Sequence, residues 1–136
     1  MTRIIVDNSI WARILTDVKF ADIVRSLQSS PYNQIVTCPP QALEFCHPAR
    51  SLSEYETRRA FIDSFESLTR KPEQWEILDL QRALWRAGLG RAAGTSDLTI
   101  AAYAIANDAT VFAADRDFVH IARASGGRLK QRYFAP

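Results

Sequence analysis

The sequence predicts an α/β domain built on a mainly parallel sheet. Short β-branched runs alternate with stretches of helical periodicity along the chain. The first run, Arg3-Ile4-Ile5-Val6, is apolar without interruption from Ile4, as in a central strand covered on both faces. Carboxylates follow the ends of such runs, and in open α/β sheets ligands bind beyond the carboxyl ends of the strands.

The elements follow in order. Arg3 to Val6 is a strand, with Asp7 at its end. Asn8 or Ser9 is expected to cap a helix carrying Ile10, Trp11, Ile14 and Leu15. Phe20, Ile23, Val24 and Leu27 repeat at amphipathic helical spacing, and Ser29-Ser30-Pro31-Tyr32-Asn33 breaks that helix. Gln34 to Cys38 reads as the second strand. Pro39-Pro40 opens a helix, where a missing N–H costs nothing, and that helix carries Glu44. Ser51 followed by Glu54 is a capping signal for a long helix with Tyr55, Phe61, Ile62, Phe65 and Leu68, and Arg58 and Arg59 toward its outside. Trp75 to Leu78 is expected as a short third strand. Asp79 to Ala87 reads as a helix with Leu80, Ala83, Leu84 and Ala87 inward and Arg82 and Arg86 on its other face. Gly88-Leu89-Gly90 ends it.

Residues 95 to 118 hold the densest signal. Ser96 is expected to cap a helix whose Leu98, Ala101, Ala102 and Ile105 share one face. Thr110 to Ala114 is a buried strand, followed at once by Asp115 and Asp117. Phe118 to Ala124 is a helix, and Leu129 to Phe134 closes the chain as a strand.

Size and composition bound the function. The 136 residues fit a single domain, 1–136, with a sizeable core. No run of 18 apolar residues predicts a membrane span, and the N-terminus lacks a signal peptide, so a cytoplasmic location is expected. Cys38 and Cys46 make no disulfide framework. Only two histidines accompany them, too few donors for a zinc site. The Glu44-Phe45-Cys46-His47 spacing of di-metal bundles occurs once, where such sites need two. No Ser/His/Asp or Cys/His set stands out, and there is no glycine-rich phosphate loop. The net charge of +2 does not by itself specify a nucleic-acid partner, but 14 of the 17 bases are arginine, whose fork suits phosphate.

Asp7, Glu44, Asp97 and Asp115, with Asp117 beside them, are therefore expected to meet at one sheet edge. Carboxylates gathered together repel unless a cation neutralises them. An all-oxygen donor set suits Mg2+ or Mn2+. Such ions clamp the oxygens of a phosphodiester under displacement.

In this order and at these separations, the pattern resembles the PIN-domain family, and most closely the VapC-type toxins of bacterial toxin–antitoxin pairs. The likeness rests on Ile5-Val6-Asp7-Asn8-Ser9-Ile10-Trp11, on Glu44, on Ser96-Asp97-Leu98-Thr99-Ile100-Ala101-Ala102, and on Val111 to Phe118. It implies a three-layer α/β/α sandwich and a Mg2+- or Mn2+-dependent endoribonuclease acting on structured RNA such as tRNA or rRNA. By that resemblance Asp7, Glu44, Asp97 and Asp115 are the catalytic acids, and Asp7, Asp97, Asp115 and Asp117 hold metal. Ser9 supports the acids by hydrogen bonding, and Asn8 stands where the family usually has threonine. The resemblance also implies a homodimer and a VapB-type antitoxin, whose C-terminal segment would lie between the helices at 20–30 and 51–69. RNA affinity must come from positive charge, for which Arg82, Arg86, Arg91 and Arg116 are the candidates. The competing reading is a PIN-fold module that binds RNA or protein without cleavage, which has no reason to gather repelling carboxylates. Phosphotransfer folds fit less well: the triplet after the first strand is Asp7-Asn8-Ser9, not Asp-x-Asp.

Overall fold

The computed structural model describes all 136 residues. In chain order the elements are β1 (Thr2–Val6), α1 (Asn8–Trp11), α2 (Val18–Ser29), β2 (Asn33–Thr37), α3 (Pro39–Cys46), α4 (Leu52–Asp63) and β3 (Glu66–Ser67). Then come α5 (Gln74–Arg86), α6 (Thr95–Ala106), β4 (Thr110–Ala113), α7 (Asp117–Ala124) and β5 (Lys130–Tyr133). The strands form one sheet in the order β3-β2-β1-β4-β5, and every pairing is parallel. Ile4 pairs with Ile35 on one side and with Thr110 on the other. Crossovers run outward from β1 in one direction and from β4 in the other. The crevice between these two strands is the switch point where such sheets bind ligands.

Strand alternation divides the core in two. Ile5, Val36 and Val111 point to a face covered by α5, α6 and α7, where Leu84, Ile100, Phe118 and Ile121 are buried. Ile4, Val6 and Ile35 point to the opposite face, covered by α1 to α4, with Trp11, Phe20, Val24 and Phe45. The result is a three-layer α/β/α sandwich. Each of these fully buried aliphatic side chains contributes roughly 1.5–3 kcal/mol through removal from water. No helix is long and apolar enough to cross a membrane. Both cysteines are free and buried.

Several local expectations shift. Trp75 to Leu78 is not a strand. Glu73 and Glu76 form a reciprocal capping box, so α5 starts at Gln74 and Trp75 lies exposed on its first turn. The third strand is instead Glu66–Ser67, beside β2. It forms there because α4 stops at Asp63; Leu68 then donates its N–H to the Thr37 carbonyl at 2.8 Å. Phe65 and Leu68 are thus packed from a sheet edge, not from a helix. Arg58 does not point away: it stacks 5.2 Å from the Phe45 ring centroid and donates to the Phe45 carbonyl at 2.9 Å. Ala87 is exposed because it caps the end of α5. The first helix ends at Trp11, leaving Leu15 on a solvent-facing turn. Helix α6 is buried almost all round, Tyr103 and Ala104 included, because α3, α5, α7 and β4 all pack on it.

Candidate metal centre

Each predicted acid sits at the carboxyl edge of the sheet for a local reason. Asp7 leaves β1 in extended conformation and caps α1 itself, so neither Asn8 nor Ser9 is the cap. Its Oδ2 accepts from the Ser9 N–H at 3.0 Å. Asp115 follows β4, and its Oδ1 accepts from the Asp117 N–H at 3.0 Å, which sets the turn into α7. Asp117 is the first residue of that helix. Asp97 lies in the first turn of α6, where the cap is Gly94 in extended conformation; Ser96 is already inside the helix. Glu44 projects from α3.

The structure brings all five together. One carboxylate oxygen each of Asp7, Glu44 and Asp97 lie within 4.8 Å of one another, and so do those of Asp97, Asp115 and Asp117. Asp97 is common to both groups and is the hub. No acid of the five forms an ion pair with a base. Asp7 is almost wholly buried, and its Oδ1 has no hydrogen-bond partner. A buried carboxylate oxygen without a donor costs free energy unless a cation or proton meets it.

Protonation responds to that arrangement. Burial pushes the Asp7 carboxyl up from 3.8 to about 6; hydrogen bonds from Ser9 oppose the rise, and the charges of Asp115 and Glu44 add to it. Asp97 is held well above the ordinary carboxylate range, first by burial, then by its hydrogen bond with Asp117 and by the neighbouring acids. Asp115 is raised too, by burial and by the charges of Asp117 and Glu44, with Arg13 pulling the other way. Three acids that resist ionisation in one cleft, all hard oxygen donors, fit a divalent cation of the Mg2+ or Mn2+ type.

Ser9 ties the two switch-point strands together. Its N–H holds Asp7, while its Oγ accepts from the Ala114 N–H at 2.9 Å, just before Asp115. Sequence reasoning missed Arg13, whose charge opposes the rise at Asp115. It is half-buried and donates to the Ser9 carbonyl at 2.6 Å, one turn on in the chain. Its spacing of four from Ser9 was the available signal. Gln41 was missed as well: it is fully buried and donates from Nε2 to the Val6 carbonyl at 3.3 Å, beneath Asp7.

The four arginines separate. Arg116 is exposed between Asp115 and Asp117 and lies 5.0 Å from the Tyr133 ring centroid. Arg91 is exposed in the α5–α6 loop. Arg82 and Arg86 lie on α5 against the far end of α7, away from the acids.

A family model described as "PIN domain" matches residues 4–124, which include every acid of the cluster. The chain belongs to the PIN-domain family. Solved structures agree in fold. A chain of the VapBC2 structure from Rickettsia felis, bound to a DNA fragment from their promoter, superposes with a TM-score of 0.73 at 17% identity. The match covers 97% of this chain and 98% of that one. For VapBC-1 from nontypeable Haemophilus influenzae the TM-score is 0.72 at 16% identity, over 97% and 98% of the two chains. For VapBC-5 from Mycobacterium tuberculosis it is 0.61 at 20% identity, over 100% of both. At these identities the likeness establishes the fold. No curated protein matches the chain.

Proposed function

We propose that this PIN-domain protein is the VapC-type toxin of a toxin–antitoxin pair, a Mg2+- or Mn2+-dependent endoribonuclease acting on structured RNA such as tRNA or rRNA. The observation that carries the reading is the convergence of five unpaired carboxylates at the β1/β4 switch point, one with a buried oxygen lacking any donor.

Asp7, Asp97, Asp115 and Asp117 hold the ion, and Glu44 completes the acidic set from α3. A hard divalent ion held there supplies Lewis-acid chemistry toward a phosphodiester and its attacking water. The chain's own residues supply the order around it. Ser9 fixes the Asp7 carboxylate and pins the start of the Asp115 turn. Arg13 holds the Ser9 carbonyl and tempers the negative field on Asp115. Arg116 stands exposed at the rim, placed to meet a phosphate that the acids repel.

The partner reading follows from a second surface. Helices α3 and α4 enclose a groove of about 750 Å³ lined by Leu43, Leu52, Tyr55 and Ile62. It adjoins Glu44 through the neighbouring hollow formed by Asn8, Glu44 and His47. An antitoxin segment lying there reaches the acids. Helix α2 is not a wall of this groove; its Phe20, Val24 and Leu27 are buried beneath it in the core. A homodimer is part of the same proposal.

Purified protein incubated with structured RNA and Mn2+ or Mg2+ tests the activity. Cleavage that disappears with EDTA and in Asp97→Asn is the expected result. Intact RNA across both ions and several RNA pools would sink it.

A further inference from the structure

An acidic cleft repels RNA, so a protein that cuts RNA there needs a separate grip on the strand. Five of the 15 acids lie in the cluster; the 10 others are outnumbered by 17 Lys and Arg residues. Many of those bases are engaged locally. Arg25 pairs with Asp22 at 2.6 Å and Arg59 with Asp63 at 2.8 Å. Arg3 and Arg13 serve backbone carbonyls, and Arg132 lies over Phe112 and Phe134.

One hollow collects three arginines. A groove of about 440 Å³ between α5 and the end of α7 is lined by Arg82, Arg86 and Arg128 over a floor of alanines, among them Ala83 and Ala124. Its one acid, Asp79, reaches Arg82 at 3.9 Å, the outer limit of an ion pair. Arg86 and Arg128 form no ion pair. Arg128 is oriented by donating from Nε to the Ser125 carbonyl at 3.2 Å, which leaves its terminal nitrogens free. Arg82 and Arg86 share a helix face at a spacing where like charges destabilise. An anion seated between the three relieves that repulsion.

The lining selects the anion. Guanidinium forks match phosphate oxygens in two-point contacts. A peptide partner would need a pocket for an anchoring side chain, and a floor of alanine methyls offers none. Position selects its source. Helix α7 starts at Asp117 inside the acidic cluster and ends at the groove, and its eight residues span about 12 Å. A strand with one phosphate at the acids that followed α7 would bring later phosphates to the groove.

We propose that the α5/α7 groove docks the sugar–phosphate backbone of the RNA substrate at a distance from the cut bond. Arg86 and Arg128 are the principal contacts, and Arg82 is shared with Asp79. The assignment rests on the endoribonuclease reading but fails or stands separately from it.

The test measures binding of the full chain to bulk tRNA in EDTA, as a function of salt, and then cleavage of the same RNA in Mn2+. Arg86→Ala and Arg128→Ala are each expected to lower the slope of log affinity against log salt by about one. They raise KM and leave kcat in place. Arg25→Ala, on a paired arginine elsewhere, changes neither. Arg86→Lys keeps the charge and restores most of the slope, which separates lost contact from lost folding. Unchanged slope and KM in an active enzyme overturn the groove and leave the nuclease standing. Groove-dependent binding by a protein that cuts no RNA keeps the groove and removes the nuclease. An effect seen with duplex DNA but not with tRNA, or no RNA binding at all, overturns the assignment.

Discussion

Replacing Asp7 with asparagine should stabilise the cation-free protein at neutral pH. Burial raises this carboxyl from 3.8 to about 6. Between those values the folded state keeps a proton that the unfolded chain gives up. Stability therefore falls as pH rises through that window and levels off above it, the reverse of a salt-bridged acid. The full swing is about 3 kcal/mol for this one group. Asparagine keeps an oxygen to accept from the Ser9 N–H and carries no charge to desolvate. Urea unfolding in EDTA from pH 4.5 to 8 is the assay. The variant should exceed the wild type by only about 1 kcal/mol near pH 4.5 and by up to about 3 kcal/mol at pH 7.5, the latter on the order of 10 °C in Tm. Mn2+ at a thousand times its Kd reverses the order: it adds about 4.1 kcal/mol to a protein that binds it, and the variant loses that gain. An asparagine variant less stable than the wild type at pH 7.5 in EDTA would refute the reasoning, because Asp7 would then be a favourable anion rather than a strained one.

Further outcomes follow from single contacts. Ser9→Ala removes the acceptor for the Ala114 N–H, and should cost about 1–3 kcal/mol in chemical denaturation; it should also reduce cleavage more than Arg25→Ala does. Trp11→Ala opens the aromatic cluster with Phe45, Phe61 and Phe65, with a loss of about 3–5 kcal/mol read from the same unfolding curves. Leu52→Asp puts a charge in the α3/α4 groove; it should leave RNA cleavage intact while abolishing co-purification with, and growth rescue by, the cognate antitoxin.

The legible parts of the sequence were those fixed by neighbours in the chain. Ile4 to Val6 and Thr110 to Ala113 are strands because β-branched apolar runs have few other uses, and the acids after them inherit their place from strand direction. The meeting of Glu44 and Asp97 with those acids was legible in part from helices that start at the same sheet edge, and the likeness to a family added to it. Periodicity alone places each on a helix and says nothing of which helices approach. Where the reading went astray, a long-range contact or a cap decided. Trp75 and Ile77 look like strand residues until Glu73 and Glu76 close a capping box around them. Glu66 and Ser67 carry no strand signal; they pair because β2 presents an open edge. Arg58 reads as surface, and only the tertiary approach of Phe45 draws it in. Arg128 was invisible as a groove residue because α5 and α7 lie 30 or more positions apart in the chain.

The central claim is that carboxylates from β1, α3, α6 and the β4–α7 turn share one hard cation. Calorimetric titration of the purified protein with Mn2+ at pH 6.5, in two buffers of different ionisation enthalpy, tests it most directly. The account predicts saturable binding with release of protons, since Asp97 holds one in the free protein and Asp7 is partly protonated at this pH, and at least tenfold weaker binding in Asp97→Asn. Absence of binding, or equal binding by that variant, would contradict it.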